Sequence, residues 1–231
     1  IHILPDFIIF ADGRCGTTSL YEGMAEHPNV YHAKRKEIDF FDAEYQRGVG
    51  WYKHNFPFVW NKLFETKLHG NFLTGEASSR YLTHPHALKR IYKLIPKVKL
   101  IAIFRNPIDR ALSFYNMQLA NGREPLSFEE AIKAEKSRIE GEMERMERDE
   151  NYYSGKIFLR YAYLTGGLYV HSLKKWMKIF PKDQFLIIKA EDFFENPSTT
   201  YSQVFEFLDL PKFKAKQYVH YNSRKYPPMK P

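Results

Sequence analysis

The sequence holds one cysteine, Cys15, among its 231 residues, so no disulfide can form within the chain. The fold must rest on a packed core rather than on cross-links, and this scarcity points towards a reducing, cytoplasmic compartment. Long apolar runs are missing too. None reaches the roughly 20 residues that span a bilayer, and no secretory apolar segment opens the chain. No membrane segment is therefore expected. The chain begins at Ile1 rather than Met, which leaves open a trimmed chain, a removed signal or anchor, and a Golgi-lumenal setting. Internal repeats, low-complexity tracts and linker-like stretches are absent, so residues 1–231 are read as one domain. His84-Pro85-His86 is the one close histidine pair, and it reads as a loop and helix start rather than a ligand set. No metal is expected. The ATP-type loop G-x-x-x-x-G-K-[ST] does not occur.

Hydrophobic residues make up 44% and aromatics 16%, a composition that can bury a full core. The net charge of +8 and pI near 9.3 favour anionic partners such as nucleotides, acidic or sulfated glycans, nucleic acid or anionic lipid. Plain surface solvation explains the same balance equally well.

Strand-like and helical runs alternate. Phe7–Ala11, Asn71–Gly75, Lys99–Phe104 and Gln184–Lys189 read as strands, the first apolar throughout as a doubly covered strand should be. Helices are predicted over Thr17–His27, His86–Ile95, Pro107 to about Ala120, Ser127 towards Glu150, Leu168–Phe180 and Pro197–Leu208. Ser127 and Glu130 have capping-box spacing. The alternation predicts an α/β fold, a central parallel β-sheet flanked by helices, with ligands beyond the carboxyl ends of its strands.

Three clusters carry chemistry. Asp12-Gly-Arg-Cys-Gly-Thr-Thr-Ser19 follows the first strand at once. Two glycines free the backbone and hydroxyl residues open a helix, which presents amides and a helix N-terminus to a phosphate. Arg105 leaves the Lys99–Phe104 strand and Ser113 lies on the next helix, an arrangement able to clamp a second phosphate. A surface pair of Arg105 with Asp109 is the plainer alternative. Lys34-Arg-Lys-Glu-Ile-Asp-Phe-Phe-Asp42 sets Glu37 among three cations, as a candidate general base or as a plain charge cluster. Cys15 reads as a small loop residue, and Trp51, Trp60 and Trp176 as core or rim packing.

Together these residues resemble the 3′-phosphoadenylyl sulfate (PAPS)-dependent sulfotransferases, in their carbohydrate-type branch of bacterial and heparan sulfate N- and 3-O-sulfotransferases. The resemblance runs through Arg14-Cys-Gly-Thr-Thr18, His27-Pro28, Lys36-Glu-Ile-Asp-Phe-Phe-Asp42, Gly48-Val-Gly-Trp-Tyr52 and Gly75-Glu-Ala-Ser-Ser-Arg-Tyr81. It continues through Arg105 to Ser113, in the pattern R-[ND]-P-x-x-R-x-x-S, and Gly167-Leu-Tyr-Val-His-Ser-Leu-Lys-Lys-Trp176. All stand in the family's order.

The resemblance implies a P-loop-like sulfotransferase fold and nucleotide-binding roles. Gly13, Arg14, Cys15, Gly16, Thr17, Thr18 and Ser19 would hold the 5′-phosphosulfate, with Arg14 neutralising charge on the bridging oxygen. Arg105 and Ser113 would hold the 3′-phosphate, joined by Arg224 or Lys225 from the tail. Glu37 would take the acceptor's proton, while Lys36, Asp39 and Glu76 would face the acceptor; Glu76 could equally be a structural partner of Arg80 or Arg105. PAPS is the implied donor and 3′-phosphoadenosine 5′-phosphate (PAP) the product, without a metal. The implied partner is a sulfate acceptor, a glycan or other small hydroxyl or amine compound, and no nucleic acid. Many family members carry Lys at the position of Arg14, and heparan-type members often carry His where Asp39 stands, which leaves the acceptor open. A P-loop-type small-molecule kinase and a non-catalytic module that binds polyanionic glycan are the competing expectations.

Overall fold

The computed structural model describes residues 1–152 and 157–214. The apolar run after Pro5 forms β1 (Phe7–Phe10), whose four side chains are all buried. Side chains alternate across a strand, so Phe7 and Ile9 enter one core while Ile8 and Phe10 enter another. β2 (Val30–His32), β3 (Leu73–Ala77), β4 (Lys99–Phe104) and β5 (Phe185–Lys189) complete one sheet in the order β2-β3-β1-β4-β5. Every pairing is parallel. Strand order reverses direction at β1, the place where open α/β sheets open a crevice for ligands.

Eleven helices are described: α1 (Thr17–Met24), α2 (Gly48–Lys53), α3 (Val59–His69), α4 (Ala87–Leu94), α5 (Pro107–Ala120), α6 (Phe128–Ile139), α7 (Glu142–Arg148), α8 (Phe158–Tyr161), α9 (Tyr169–Met177), α10 (Ala190–Glu195) and α11 (Pro197–Phe207). Leu20 of α1, Phe193 of α10 and Val204 of α11 pack with Phe7 and Ile9 on one face of the sheet. Tyr52 of α2, Ile91 of α4 and Trp176 of α9 pack with Ile8 and Phe10 on the other. A third cluster joins Phe114 of α5 to Ala131 of α6 and Tyr163. None of the helices among the described residues is long and apolar enough to cross a membrane.

The helix starts follow their caps. Asn106 accepts from the amides of Ile108 at 2.9 Å and Asp109 at 3.4 Å, with Pro107 opening α5. Ser127 and Glu130 form the reciprocal capping box.

Four expectations are corrected. The helix predicted from Ser127 to Glu150 is two helices, because Gly141 takes a left-handed φ of 74° between them. Strand β3 starts and ends two residues later than the predicted Asn71–Gly75, and its later end takes in Glu76. The helix over Thr17–His27 ends at Met24, which leaves room for the three-residue β2. Trp176 is core, but Trp60 is 76% exposed, and half-buried Trp51 lies under the guanidinium groups of Arg35 and Arg47.

Candidate active site

The chain leaves β1 at Ala11 and turns through Asp12–Gly16 into α1. Two left-handed residues make that turn, Arg14 at φ 77° and Gly16 at φ 101°. Gly16 sits at the head of α1 and brings no side-chain cap, so the first amides of the helix are offered at the strand's carboxyl end. A Cβ at Gly16 would lie 2.9 Å from the Phe194 ring, so the position needs glycine for space as well as for φ. Cys15 points into the core, with its sulfur 3.7 Å from the Tyr169 hydroxyl. Burial pushes its thiol up to about 11, which removes it as a nucleophile near neutrality.

A second arm crosses the end of β3. The Glu37 amide donates to the Ala77 carbonyl at 3.0 Å. The Glu37 carboxylate accepts from the Ser79 amide at 3.1 Å and the Ser79 hydroxyl at 3.2 Å, and pairs with the Lys36 ammonium at 2.6 Å. Glu37 and Asp39 both sit at φ 54°. Arg80 pairs with Asp39 and, through its Nε, lies 3.3 Å from Asp42. Burial pushes the carboxyls of Asp39 and Asp42 up, Asp42 to about 7, against the pull of that guanidinium.

These arms face each other across a cavity of about 540 Å³. Asp12, Gly13, Arg14, Thr17 and Thr18 form one wall, and Glu37, Asp39, Ser79 and Arg80 another. Residues of α5 and α8, with Arg123 and Arg160 among the cations, close the third side. Among the described residues, four non-glycine residues have positive φ, and three of them, Arg14, Glu37 and Asp39, line this cavity. Such conformations cost roughly 1–3 kcal/mol each and cluster where geometry serves a ligand.

Gly13, Arg14, Thr17, Thr18, Glu37 and Asp39 are thus brought together, with Lys36 beside them through its ion pair. The side chains of Cys15 and Ser19 are buried, and neither residue lines the cavity; nor does Gly16. Ser113 is buried on α5 and accepts from Arg14 Nε at 3.1 Å, which ties the turn to that helix. Arg105 is half-buried and does not line the cavity; its carbonyl accepts from the Tyr169 hydroxyl at 3.0 Å. Arg224 and Lys225 lie outside the described residues.

The expectation that Glu76 faces the acceptor is corrected. Glu76 is fully buried and takes hydrogen bonds from Tyr52, from Ser78 at 2.7 Å and from Tyr81 at 3.0 Å. Its partners are hydroxyls, not Arg80 or Arg105. Burial pushes its carboxyl from an ordinary 4.5 up to about 7, against those three hydrogen bonds. A raised acid holds its proton longer in the folded state than in the unfolded one. Its stabilising contribution is complete below about pH 4.5 and is lost as pH rises through 7, by roughly 3 kcal/mol. The Glu76→Gln variant, neutral throughout, should lose less stability than the wild type between pH 5 and 8 in urea titrations, and parallel losses would refute the assignment.

Arg110 and Ser79 are site residues to which sequence reasoning gave no role, and Arg80, expected only as a possible partner of Glu76, pairs with Asp39 and Asp42 instead. Their signal was present: Arg110 is the second arginine of R-N-P-x-x-R-x-x-S, and Ser79-Arg80 lies inside the Gly75–Tyr81 block.

A parallel sheet whose first strand ends in an amide-presenting turn, opposite an anchored carboxylate in a cavity with four arginines, is the architecture of a nucleotide-dependent group-transfer enzyme. Over residues 4–227 the sequence matches the sulfotransferase domain family, and the chain belongs to that family of PAPS-dependent enzymes. A crystal structure of a sulfotransferase from Alicyclobacillus acidocaldarius superposes with a TM-score of 0.69 at 28% identity, covering 98% of this chain and 87% of that one. The bifunctional heparan sulfate N-deacetylase/N-sulfotransferase 1 of Caenorhabditis elegans is 31% identical over 96% of this chain, which spans 24% of that protein. Heparan sulfate glucosamine 3-O-sulfotransferase 5 of Mus musculus is 29% identical over 95% of this chain and 58% of its own. The chain therefore spans about a quarter of the N-deacetylase/N-sulfotransferase relatives and somewhat more than half of the 3-O-sulfotransferase.

Proposed function

We propose that this chain moves the sulfuryl group of PAPS to a hydroxyl or amine of an acceptor, a carbohydrate being the favoured class. The observation that carries the proposal is the single cavity lined by both the Gly13–Thr18 turn and Glu37. The turn's amides and the Thr17 and Thr18 hydroxyls hold the 5′-phosphosulfate. Glu37 takes the acceptor's proton as the new bond to sulfur forms. The bond from sulfur to the bridging oxygen breaks, PAP leaves, and Arg14 offsets the charge that gathers on that oxygen. Arg105 and Ser113 hold the 3′-phosphate, with Arg224 or Lys225 completing that end. Sulfuryl transfer of this kind needs positioning and charge, which the cavity's side chains supply. The carbohydrate class is supported by relatives whose names place them on heparan sulfate.

PAP without magnesium should raise the melting temperature, a hundredfold excess over its dissociation constant adding about 2.7 kcal/mol. Labelled PAPS offered with glycans, phenols, lipids and peptides should then label a glycan. A response to ATP with magnesium and none to PAP would refute the donor and favour the kinase. Salt-sensitive heparin binding without any transfer would favour a non-catalytic glycan-binding module.

A further inference from the structure

Asp12 is the one carboxylate on the wall of the cavity formed by the glycine turn. Its Oδ1 accepts from the Gly13 amide at 2.8 Å. Arg110 reaches across from α5, fully buried, and sets a terminal nitrogen 3.4 Å from that same oxygen. The guanidinium also donates to the carbonyls of Ala162, at 3.1 Å, and Tyr163, while its Nε has no partner among the described residues. Gly166 makes the arrangement possible: a Cβ there would lie 2.9 Å from both Arg110 and the second Asp12 oxygen. A buried arginine, a bare glycine and two carbonyls thus converge to keep a carboxylate at the mouth of a turn that presents amides.

That placement sets one anion against another. In the donor reading above, on which this inference rests, the turn receives a phosphosulfate, yet an internal anion already occupies its first amide. Arg110 offsets the charge from one side only, through a single 3.4 Å contact. We propose that Asp12 is a proton-linked positioning residue of the donor turn: it orders the Gly13 amide while the site is empty and takes up a proton when the anionic donor enters, with Arg110 setting the balance.

The titration of the empty site agrees. Burial pushes the Asp12 carboxyl from 3.8 up to about 6, against the pull of Arg110 and the Gly13 amide. An arriving anion raises it further, because a like charge disfavours the ionised form. The other groups around Asp12 do not titrate this way. The Cys15 thiol is pushed up to about 11 and the Tyr169 hydroxyl is pushed up as well, so both stay neutral. The remaining charged groups on the cavity wall are the guanidinium groups of Arg14, Arg80, Arg123 and Arg160 and the carboxylates of Glu37 and Asp39. Glu37 and Asp39, the other carboxylates of the cavity, are common to the wild type and to an Asp12 variant.

The test is the affinity for PAP measured by calorimetry between about pH 5 and 8 in the wild type and in Asp12→Asn. The phosphates of PAP titrate identically in both, so the difference between the profiles isolates Asp12. Wild-type affinity, relative to the variant, should fall as pH rises through 6, by about tenfold for each unit by which the donor raises the Asp12 pKa. The variant should bind more tightly than the wild type at pH 7.5 and show no matching proton uptake. Superimposed profiles, or a variant weaker by one constant factor at every pH, would overturn the inference and leave the donor reading intact. Absence of PAP binding at any pH would end the donor reading, and this inference with it. Should Asp12→Asn not fold, the ¹³C carboxyl shift of Asp12 in the wild type decides: the pKa should rise when PAP is added, and an unchanged value refutes the proposal.

Discussion

Glu37→Gln is expected to lower turnover by about 10²–10⁴-fold while leaving PAP affinity unchanged. The amide is nearly isosteric, and its oxygen can still accept from the Ser79 amide and hydroxyl that hold Glu37 at 3.1 and 3.2 Å. The backbone anchor from the Glu37 amide to Ala77 is untouched. The 2.6 Å pair with Lys36 joins two half-buried side chains, and the neutral amide keeps the Lys36 ammonium within hydrogen-bond reach of the Gln oxygen. What disappears is the capacity to accept a proton from the attacking hydroxyl or amine. The effect should therefore appear in kcat and kcat/KM together, with little change in the KM for the donor. Steady-state kinetics with PAPS, paired with calorimetry on PAP, separates the two. Wild-type turnover in the variant would remove Glu37 from the reaction, and equal losses in turnover and PAP affinity would make it a structural residue of the cavity.

Much of the fold was legible because its signals were local. β4 came out of the apolar run that follows Lys99, and α5 out of its proline start; both match the described ranges Lys99–Phe104 and Pro107–Ala120. Where the reading failed, tertiary contacts decided. β2 is three residues long and is held by its pairing to β3, which no propensity reports. The break at Gly141 was hidden because apolar residues at helical spacing, Ile139, Met143 and Met146, continue across it. Glu76 was misplaced for a related reason. A glutamate at a strand end normally reads as exposed, and only the fold brings Tyr52 and Tyr81 to its carboxylate.

Legibility of the site divides along the same line. The turn, Glu37 and Asp39 were found as residue types in order, because a contiguous segment dictates its own backbone. The partners that hold them come from elsewhere in the chain: Ser79 for Glu37, Arg80 for Asp39, Arg110 for Asp12. Motif order marked Arg110 without saying what it touches, and offered Arg80 to Glu76 rather than to the aspartates it meets. Nor could the sequence say that Ser113 would meet Arg14 directly, linking the two expected phosphate sites through one hydrogen bond.

That link leads to the second large effect. Arg14→Ala should reduce kcat by about 10²–10³-fold, the usual cost of removing one donor aimed at developing charge. Arg14 occupies a left-handed position on the cavity wall, and its Nε is tied to Ser113 Oγ at 3.1 Å. That bond orients the guanidinium on the cavity wall, where its charge can meet the negative charge that builds on the bridging oxygen. Arg14→Lys keeps a cation but forfeits the forked geometry and the Nε bond, so it should recover part of the rate and not all of it. Both variants should retain much of the PAP affinity, because backbone amides and the Thr17 and Thr18 hydroxyls remain in place on the same wall. The discriminating measurement is the ratio of rate loss to affinity loss across alanine, lysine and wild type. If PAP affinity falls as far as kcat in both variants, Arg14 acts in binding the ground state, and the charge at the breaking bond must be met by another of the cavity's arginines, Arg80, Arg123 or Arg160.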